Sequence, residues 1–265
     1  MNKIGIIAGS GTLPVVAARN AKTQNIQVYT IGFKNLTDPD IEKYSTTKYF
    51  SLGNISSPIE FLKKNCVNTV IMLGKIEHVN VFRDLRPDLR MARIFIKLKD
   101  KTPMGIFKTV SEELKKDGID ILDSTIFLKE LIAEKGIICG KVSRTEIEEI
   151  DYGYNLAKKI ADMDIGLSIV IKDRSVISVE AIEGTDECIK RAGSLVKKGG
   201  FILIKVARTN QDFRFDLPVI GTKTIEVFSS IGGKIIAIES GKTIIIDKEK
   251  TIEMARKSGI SIFGI

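Results

Sequence analysis

The sequence has few of the residues on which several common kinds of site depend. Its 265 residues include one histidine, His78, which excludes a metal centre built from several histidines. Cys66, Cys139 and Cys188 are odd in number and far apart, so they predict small buried side chains rather than a metal site or disulfides. A Ser-His-Asp hydrolase would have to use His78 and is disfavoured, because no G-x-S-x-G segment is present.

Long hydrophobic runs are also missing. No apolar run approaches the roughly 20 residues of a membrane-spanning helix. The N-terminal run, residues 3–8, has the pattern of a buried strand and carries no signal-peptide cleavage pattern. We therefore expect a cytoplasmic protein. Tryptophan is absent, whereas isoleucine is abundant, which favours buried strands.

Positive charge is in excess. The formal net charge is +8, with lysines scattered along the chain. This balance suits an anionic ligand or an anionic membrane surface. No nucleic-acid-binding module is recognised, so no nucleic acid is expected as a partner.

One predicted helix is both basic and apolar. Its basic residues Arg90, Arg93 and Lys97 share one face. Such a helix either packs on the core with a charged outer stripe or lies on an anionic bilayer.

The first half of the chain alternates between strand and helix patterns. Strands are predicted at residues 3–8, 27–32, 69–74 and 119–122, and helices ending near residue 23 and at 57–65, 88–98 and 103–117. Ser124 is predicted to cap another helix that runs to residue 134, before a turn-rich stretch at 134–143. The alternation predicts a parallel sheet with helices on both sides, a Rossmann-like domain over residues 1–140.

The pattern changes after a long predicted helix at 145–163. Strands at 167–172 and 176–182 are joined by a hairpin turn at 173–175, and a second hairpin is predicted from 235–238 and 243–246. Helices near 185–198, 221–231 and 248–258 alternate with these strands. Residues 141–265 are therefore predicted to form a second α/β domain, with a mixed sheet. The whole chain is predicted to be a two-domain α/β protein.

Glycine turns follow two of the predicted strands in the first domain. Gly9-Ser10-Gly11-Thr12 stands between a strand and a helix, where the backbone can approach a phosphate. Pro14 takes the place of the third glycine of the dinucleotide fingerprint, and a Walker A lysine is missing, so NAD and ATP are disfavoured. A phosphate bound differently and a tight turn without a ligand both remain open. Gly74-Lys75 ends the strand expected beside the first, where Lys75 either meets a phosphate or faces solvent.

Polar residues also follow two strands of the second domain. Glu183-Gly184-Thr185-Asp186 precedes a helix that carries Arg191, and this loop either binds an ion or is a routine cap at Thr185. Residues 201–207 predict a buried strand that contains Lys205. Asp212, Arg214 and Asp216 alternate, so they would share a face if extended. Such a cluster forms either a structural ion-pair network or a site for a hard metal that supports phosphoryl transfer to water.

These segments, taken in order, resemble a known family. They are residues 7–14, Asp164-Ile165-Gly166, residues 179–186 and residues 205–221. They resemble the LpxI-type UDP-2,3-diacylglucosamine pyrophosphatases of lipid A synthesis, and the similarity covers nearly the whole chain. Its most specific part is Gln211-Asp212-Phe213-Arg214-Phe215-Asp216-Leu217-Pro218.

The resemblance implies an enzyme. Two domains would hold the substrate between them, and magnesium-dependent attack of water on the α-phosphorus would release UMP and 2,3-diacylglucosamine 1-phosphate (lipid X). It also implies an amphiphilic nucleotide-sugar lipid as substrate, a homodimer and peripheral contact with the inner membrane. A nucleotide- or nucleotide-sugar-binding protein without catalysis is the alternative, and an NAD(P)-dependent oxidoreductase is disfavoured by Pro14.

The resemblance assigns the family's critical aspartate to Asp216, as the catalytic residue and a magnesium ligand. It places substrate contacts at Gly9, Ser10, Gly11, Thr12, Leu13, Glu183, Gly184, Thr185, Asp186, Lys205, Gln211 and Arg214. Gly74, Lys75 and Arg191 join these candidates from the reasoning above. Three departures from the family pattern stand at Leu167, where glutamine is usual, at Arg208-Thr209, where Lys-Pro is usual, and at Lys99-Asp100-Lys101, where Gly-Asp-Asp is expected.

Overall fold

The computed structural model describes residues 1–75, 87–98 and 103–265. His78 and the segment Lys99-Asp100-Lys101 lie outside the described residues. The chain divides into two compact units, one made of Met1–Lys129 with Asp212–Phe215 and the other of Glu130–Gln211 with Asp216–Ile265.

The first unit contains a five-stranded parallel sheet, as the alternating pattern predicted. Its strands are β1 Lys3–Ala8, β2 Gln27–Phe33, β3 Thr46–Phe50, β4 Thr69–Leu73 and β5 Asp120–Ile121. They lie in the order β3-β2-β1-β4-β5, and every neighbouring pair is parallel. β3 was not predicted, because it mixes polar and aromatic residues at the edge of the sheet. The order reverses between β1 and β4, which makes the carboxyl ends of these two strands the expected ligand edge.

Helices of the first unit are α1 Leu13–Thr23, α2 Ser56–Lys64, α3 Leu89–Lys97 and α4 Pro103–Lys116, with a 3-10 turn at Pro39–Lys43. A second 3-10 turn, Lys129–Leu131, spans the point in the sequence where the first unit ends and the second begins. Pro14 fits the first turn of α1, where its missing N–H removes no helical bond. On the basic helix α3, Arg90 donates from Nε to Glu113 Oε1 at 2.7 Å and also pairs with Asp117. Arg90 therefore joins α3 to neighbouring residues of the same unit.

The helix predicted from Ser124 to residue 134 is wrong. Ser124 is buried, and its Oγ lies 2.7 Å from Met72 O and 3.1 Å from Arg214 O. A hydroxyl that is engaged by a strand end and a loop is not available to cap a helix. The residues that follow form turns and the short 3-10 element at Lys129–Leu131.

The second unit contains the predicted mixed sheet. Its strands are β6 Gly136–Cys139, β7 Ser168–Lys172, β8 Ser175–Val179, β9 Phe201–Lys205, β10 Val219–Ile220, β11 Gly233–Ile238, β12 Ile244–Ile245 and β13 Ser261–Gly264. Six of them lie in the order β6-β13-β11-β9-β7-β8, with β13, β11 and β9 parallel and β6 and β7 antiparallel to their neighbours. β10 and β12 form a separate parallel pair.

One predicted hairpin is confirmed and the other is wrong. β7 and β8 are antiparallel and are joined by Asp173 and Arg174, both with positive φ, as a two-residue turn of this kind requires. The second predicted hairpin does not form, because β11 lies between two parallel partners and β12 pairs with β10. The stretch 134–143, predicted as turns, contains β6, and this strand belongs to the second unit, which begins at Glu130.

Helices of the second unit are α5 Arg144–Asp162, α6 Thr185–Leu195, α7 Thr222–Ser230 and α8 Lys248–Lys257. α5 begins with a capping box, in which Ser143 N donates to Glu146 Oε2 at 2.7 Å and Glu146 N donates to Ser143 Oγ. Gly153 lets α5 approach β9, since a Cβ there would lie 2.1 Å from Ile204 Cδ1. Among the described residues, no helix is both long enough and apolar enough to cross a bilayer.

Candidate functional site

In the first unit, the loops after β1 and β4 are joined backbone to backbone. Ser10 N donates to Lys75 O at 2.9 Å, and Lys75 N donates to Ser10 O at 3.0 Å. A Cβ on Gly74 would lie 2.6 Å from Ser10 O, and one on Gly9 would lie 2.8 Å from the carbonyl carbon of Gly74. The sequence-predicted residues 9–12 and 74–75 are therefore brought together, and close packing explains two of the glycines.

Position 11 requires glycine for a different reason, which is its backbone conformation. Its φ is +95°, and among the described residues nothing lies within 4 Å of a Cβ built there. Gly11 and Thr12 are exposed at the start of α1, whereas the Leu13 side chain is buried in the core. The open backbone at residues 11–12 remains a candidate anion site next to a helix N-terminus.

Asp212–Phe215 also belongs to the first unit. Phe213 O accepts from Ser124 N at 3.1 Å, and the turn closes with Phe215 N donating to Asp212 O at 3.2 Å. Arg214 forms a two-point pair with Asp212, from Nη2 to Oδ2 at 2.7 Å and from Nε to Oδ1 at 2.9 Å. This hydrogen-bonded pair lowers the pKa of Asp212. Because the segment turns rather than extends, Asp212, Arg214 and Asp216 do not line up on one face.

Asp216 lies in the second unit, where two side chains hold it. Arg208 donates from Nη1 to Asp216 Oδ2 at 2.8 Å. Gln211 donates from Nε2 to Asp216 Oδ2 at 3.1 Å and to its backbone oxygen at 2.9 Å. Gln211 Oε1 in turn accepts from Arg208 N at 3.0 Å. The Asp216 side chain is 42% exposed, so its carboxylate is oriented by the protein and still accessible.

Arg208 connects this carboxylate to the end of α5. Its Nε donates to Asp164 Oδ1 at 2.8 Å, just beyond the last turn of that helix. Partial burial lowers the pKa of Arg208, but the hydrogen bonds to Asp216 and Asp164 outweigh burial and leave the pKa raised. The next residue, Thr209, is held by Asp162, which accepts from Thr209 N at 2.6 Å and Oγ1 at 2.7 Å. Sequence reasoning noted Arg208 only as a departure, although Asp164 was part of a quoted segment.

A second polar cluster surrounds Lys205 at the end of β9. The Lys205 side chain is 7% exposed, and its Nζ donates to Thr185 Oγ1 at 2.9 Å and Ser168 Oγ at 3.1 Å. Thr185 Oγ1 donates to Glu180 Oε1 at 2.8 Å, and Glu180 Oε2 lies 3.8 Å from Lys205 Nζ. Among the described residues, Glu180 Oε2 is buried without a hydrogen-bond partner. The structure thus brings two predicted residues together and adds Glu180 and Ser168, which sequence reasoning did not assign.

The loop that opens α6 is arranged around Gly184. Gly184 is the N-cap, with φ +85°, and Thr185 is the first helical residue, so of the two readings left open for this loop, the routine cap at Thr185 is wrong. Arg191 donates from Nη2 to Val179 O at 2.7 Å and pairs with Glu183. Hydrogen bonds from the Glu183 backbone and from Arg191 lower the pKa of Glu183. Asp186 lies half-buried in the first turn of α6.

The described residues offer limited ligands for a metal. No three or more histidine, cysteine, aspartate or glutamate side chains in these ranges are grouped closely enough to hold an ion. Magnesium is usually bound by one or two carboxylates together with water and substrate phosphates. The half-exposed carboxylate of Asp216 therefore fits magnesium only as a single protein ligand, with the other ligands supplied by a phosphorylated substrate and water.

Comparison with solved structures is weak. N5-carboxyaminoimidazole ribonucleotide synthetase from Thermotoga maritima is 18% identical with a TM-score of 0.28, over 65% of this chain and 34% of that one. A biotin carboxylase complex from Campylobacter jejuni is 13% identical with a TM-score of 0.22, over 73% of this chain and 42% of that one. The chain spans less than half the length of each of these proteins.

Sequence comparison shows similarity to one family over nearly the whole chain. A curated relative from Caulobacter vibrioides, UDP-2,3-diacylglucosamine pyrophosphatase LpxI, is 27% identical over 277 residues, which span 100% of this chain and 98% of the relative. The family described as LpxI N-terminal domain matches residues 3–131, and the LpxI C-terminal domain matches residues 134–263. Because these two matches together account for nearly every residue, the chain belongs to the LpxI family.

Proposed function

We propose that this protein hydrolyses UDP-2,3-diacylglucosamine to UMP and 2,3-diacylglucosamine 1-phosphate, with magnesium as its cofactor, in lipid A biosynthesis. A relative named UDP-2,3-diacylglucosamine pyrophosphatase LpxI aligns with the whole chain, which supports the substrate and the reaction type. The observation that carries the proposal is the Asp216 carboxylate, held by Arg208 and Gln211 and 42% exposed. An oriented, accessible carboxylate is suited to directing a water molecule at a phosphorus atom.

In the proposed reaction, the oxygen of water forms a bond to the α-phosphorus. The bond from that phosphorus to the bridging oxygen breaks, and the sugar 1-phosphate leaves with the bridging oxygen. Asp216 orients the attacking water and accepts its proton. Magnesium, bound through Asp216 and phosphate oxygens, would offset the negative charge of the diphosphate.

The Lys205 cluster is suited to bind a phosphate group of this substrate. Lys205 is buried, its Nζ donates to the hydroxyls of Thr185 and Ser168, and Glu180 Oε2 lies 3.8 Å from it, so a phosphate oxygen would have to compete with Glu180 for the third donor. Thr185 opens α6, and the N-terminus of a helix favours an anion. Arg191 and Glu183 pair with each other beside this loop. Contacts of residues 9–13, Gly74, Lys75, Asp186 and Arg214 with substrate stay predictions.

The proposed substrate is amphiphilic, and its two acyl chains partition into a lipid bilayer. We therefore propose a cytoplasmic location with peripheral contact with the inner membrane surface, which the net charge of +8 would favour. The homodimer implied by the family resemblance stays a prediction.

The test is hydrolysis of UDP-2,3-diacylglucosamine by the purified protein, with magnesium or with EDTA, in ¹⁸O-labelled water. Asp216→Ala and Asp216→Asn are compared with Asp151→Ala, which changes an exposed aspartate of α5. We expect both Asp216 variants to lose activity by about 1,000-fold or more, whereas Asp151→Ala retains it. The label should appear on UMP, as attack at the α-phosphorus requires.

Two results would count against the proposal. Label on the sugar 1-phosphate would place the attack on the β-phosphorus. A folded wild-type protein that binds the substrate without turnover would favour the alternative, a nucleotide-sugar-binding protein without catalysis.

A further inference from the structure

Arg208 is the residue on which the contacts around Asp216 converge. Its Nη1 donates to Asp216 Oδ2 at 2.8 Å, and its Nε donates to Asp164 Oδ1 at 2.8 Å. Its Nη1 also lies 3.3 Å from Gln211 Oε1. One guanidinium therefore contacts two carboxylates and the amide that also binds Asp216. The Arg208 side chain is 25% exposed, less than either Asp216 at 42% or Asp164 at 71%.

The geometry of a guanidinium suits this arrangement. Its N–H donors lie in one plane and point in fixed directions, so a contact on one edge sets the direction of the other edge. Asp164 binds the Nε edge, and the remaining Nη1 is directed at Asp216. An ammonium group, by contrast, is a compact point charge that does not transmit orientation from one carboxylate to another.

The end of α5 provides the fixed reference point. Asp164 follows the last turn of this helix with φ +58°, a conformation that costs energy for a residue other than glycine. Its backbone N–H donates to Ala161 O at 2.9 Å, which ties the residue to the helix. Two residues earlier, Asp162 binds the backbone and hydroxyl of Thr209. The helix end therefore holds the loop through Asp162 and the Arg208 side chain through Asp164.

We propose that Arg208 is a positioning residue that aims the Asp216 carboxylate at the attacking water, with Asp164 fixing the guanidinium. This inference rests on the proposed function, because it concerns the same carboxylate. Displacement of a reacting group by about 1 Å can lower a rate by about 100-fold without weakening substrate binding. Loss of Arg208 should therefore lower kcat and leave KM nearly unchanged.

The experiment compares Arg208→Ala, Arg208→Lys, Asp164→Asn and Asp162→Asn with wild type, by steady-state kinetics on UDP-2,3-diacylglucosamine with and without added guanidinium. We expect kcat to fall about 100-fold in Arg208→Ala, with KM within about threefold. Asp164→Asn should fall about tenfold, since the amide retains one acceptor oxygen. Added guanidinium should restore about tenfold of the lost kcat in Arg208→Ala, and ammonium should not.

Arg208→Lys and Asp162→Asn serve to separate positioning from folding. The lysine keeps the charge and should fold, yet it should recover only part of kcat. Asp162→Asn loosens the loop backbone and should not respond to guanidinium. The inference is overturned if Arg208→Ala raises KM rather than lowering kcat, if it is as active as wild type, or if guanidinium and ammonium restore kcat equally.

Failure of this inference can be told apart from failure of the proposed function. A wild-type protein without activity would overturn both. Activity that is lost in Asp216→Ala but kept in Arg208→Ala would overturn this inference alone.

Discussion

The chain segments that follow the strands are held by different kinds of hydrogen bond in the two units. In the first unit, the ends of β1 and β4 are joined by reciprocal backbone bonds between Ser10 and Lys75. In the second unit, the chain beyond β9 is held by carboxylates, since Glu239 Oε2 accepts from Ala207 N at 2.8 Å and Asp162 accepts from Thr209 N at 2.6 Å. The first arrangement depends on space for the backbone and the second depends on charge. Mutation and pH should therefore affect them differently.

Glu239 shows how far the second arrangement relies on charge. Its side chain is 8% exposed, yet Lys158 lies 3.3 Å from Oε2 and Lys242 lies 2.9 Å from Oε1. Burial raises the pKa of Glu239, but the hydrogen bond from Lys242 and the other contacts outweigh burial and leave the pKa lowered. This glutamate is fully partnered, which distinguishes it from Glu180, whose Oε2 has no hydrogen-bond partner among the described residues.

The largest effect is expected from Glu239→Ala. The change removes the acceptor of Ala207 N and the carboxylate partner of Lys158, so the free energy of unfolding should fall by about 3–5 kcal/mol. Urea denaturation at neutral pH measures it. Glu253→Ala is the control, because Glu253 is exposed and pairs along α8 with Lys257, so its removal should change stability little. Equal losses in the two variants would show that burial and charge at Glu239 do not hold the strand end.

A smaller effect is expected from Gly74→Ala in the first unit. Gly74 has φ +88° and no room for a side chain, so alanine should destabilise the protein by about 2–4 kcal/mol. Gly11→Ala is a matched control, because Gly11 has a similar φ of +95° but open space around its Cβ among the described residues. It should cost about 1 kcal/mol from backbone strain alone. If both substitutions lower the free energy of unfolding equally, the cost at Gly74 comes from its positive φ alone and not from the close approach of the two loops.

The same contrast explains which parts of the fold could be predicted from the sequence. Runs of apolar residues identified β1, β2, β4 and β9, because a strand buried on both faces needs no alternation. The β7–β8 hairpin was predictable because its turn residues are adjacent in sequence. The pairing of β11 with β9 and β13 was not, since an apolar run does not specify which distant strand it joins. A hairpin was predicted there from proximity in sequence, and that prediction was wrong.

The candidate site shows a similar limit. Family resemblance predicted roles for Asp216 and Lys205, while local spacing suggested that Asp212, Arg214 and Asp216 would act together. The structure instead pairs Asp212 with Arg214 and Asp216 with Arg208. Asp164 and Arg208 are 44 positions apart in sequence, so no spacing argument connects them. Only folding of the α5 end against the loop after β9 makes them partners.

The smallest expected effect concerns pH at individual amides. In the folded protein the pKa of Glu239 is lowered from its ordinary value of 4.5, and the pKa of Asp162 is lowered from 3.8. The hydrogen bond from the Thr209 backbone is the main cause at Asp162. A carboxyl group with a lowered folded pKa contributes stability above its unfolded pKa and loses it as pH falls through the folded value. The protection of Ala207 N–H and Thr209 N–H should therefore decline below pH 4.5 and 3.8 respectively.

Native-state hydrogen exchange, corrected for the intrinsic dependence of exchange on pH, measures this decline. A protonated carboxyl is a weaker acceptor than a carboxylate, so the protection of Ala207 N–H should fall by about fivefold, or about 1 kcal/mol. The amides of Ser10 and Lys75 donate to backbone oxygens, which do not titrate, and should keep their protection over the same range. A parallel decline at all four amides would indicate global unfolding in acid. In that case the loss of protection would reflect the stability of the whole protein, and not a difference between backbone and carboxylate acceptors at the strand ends.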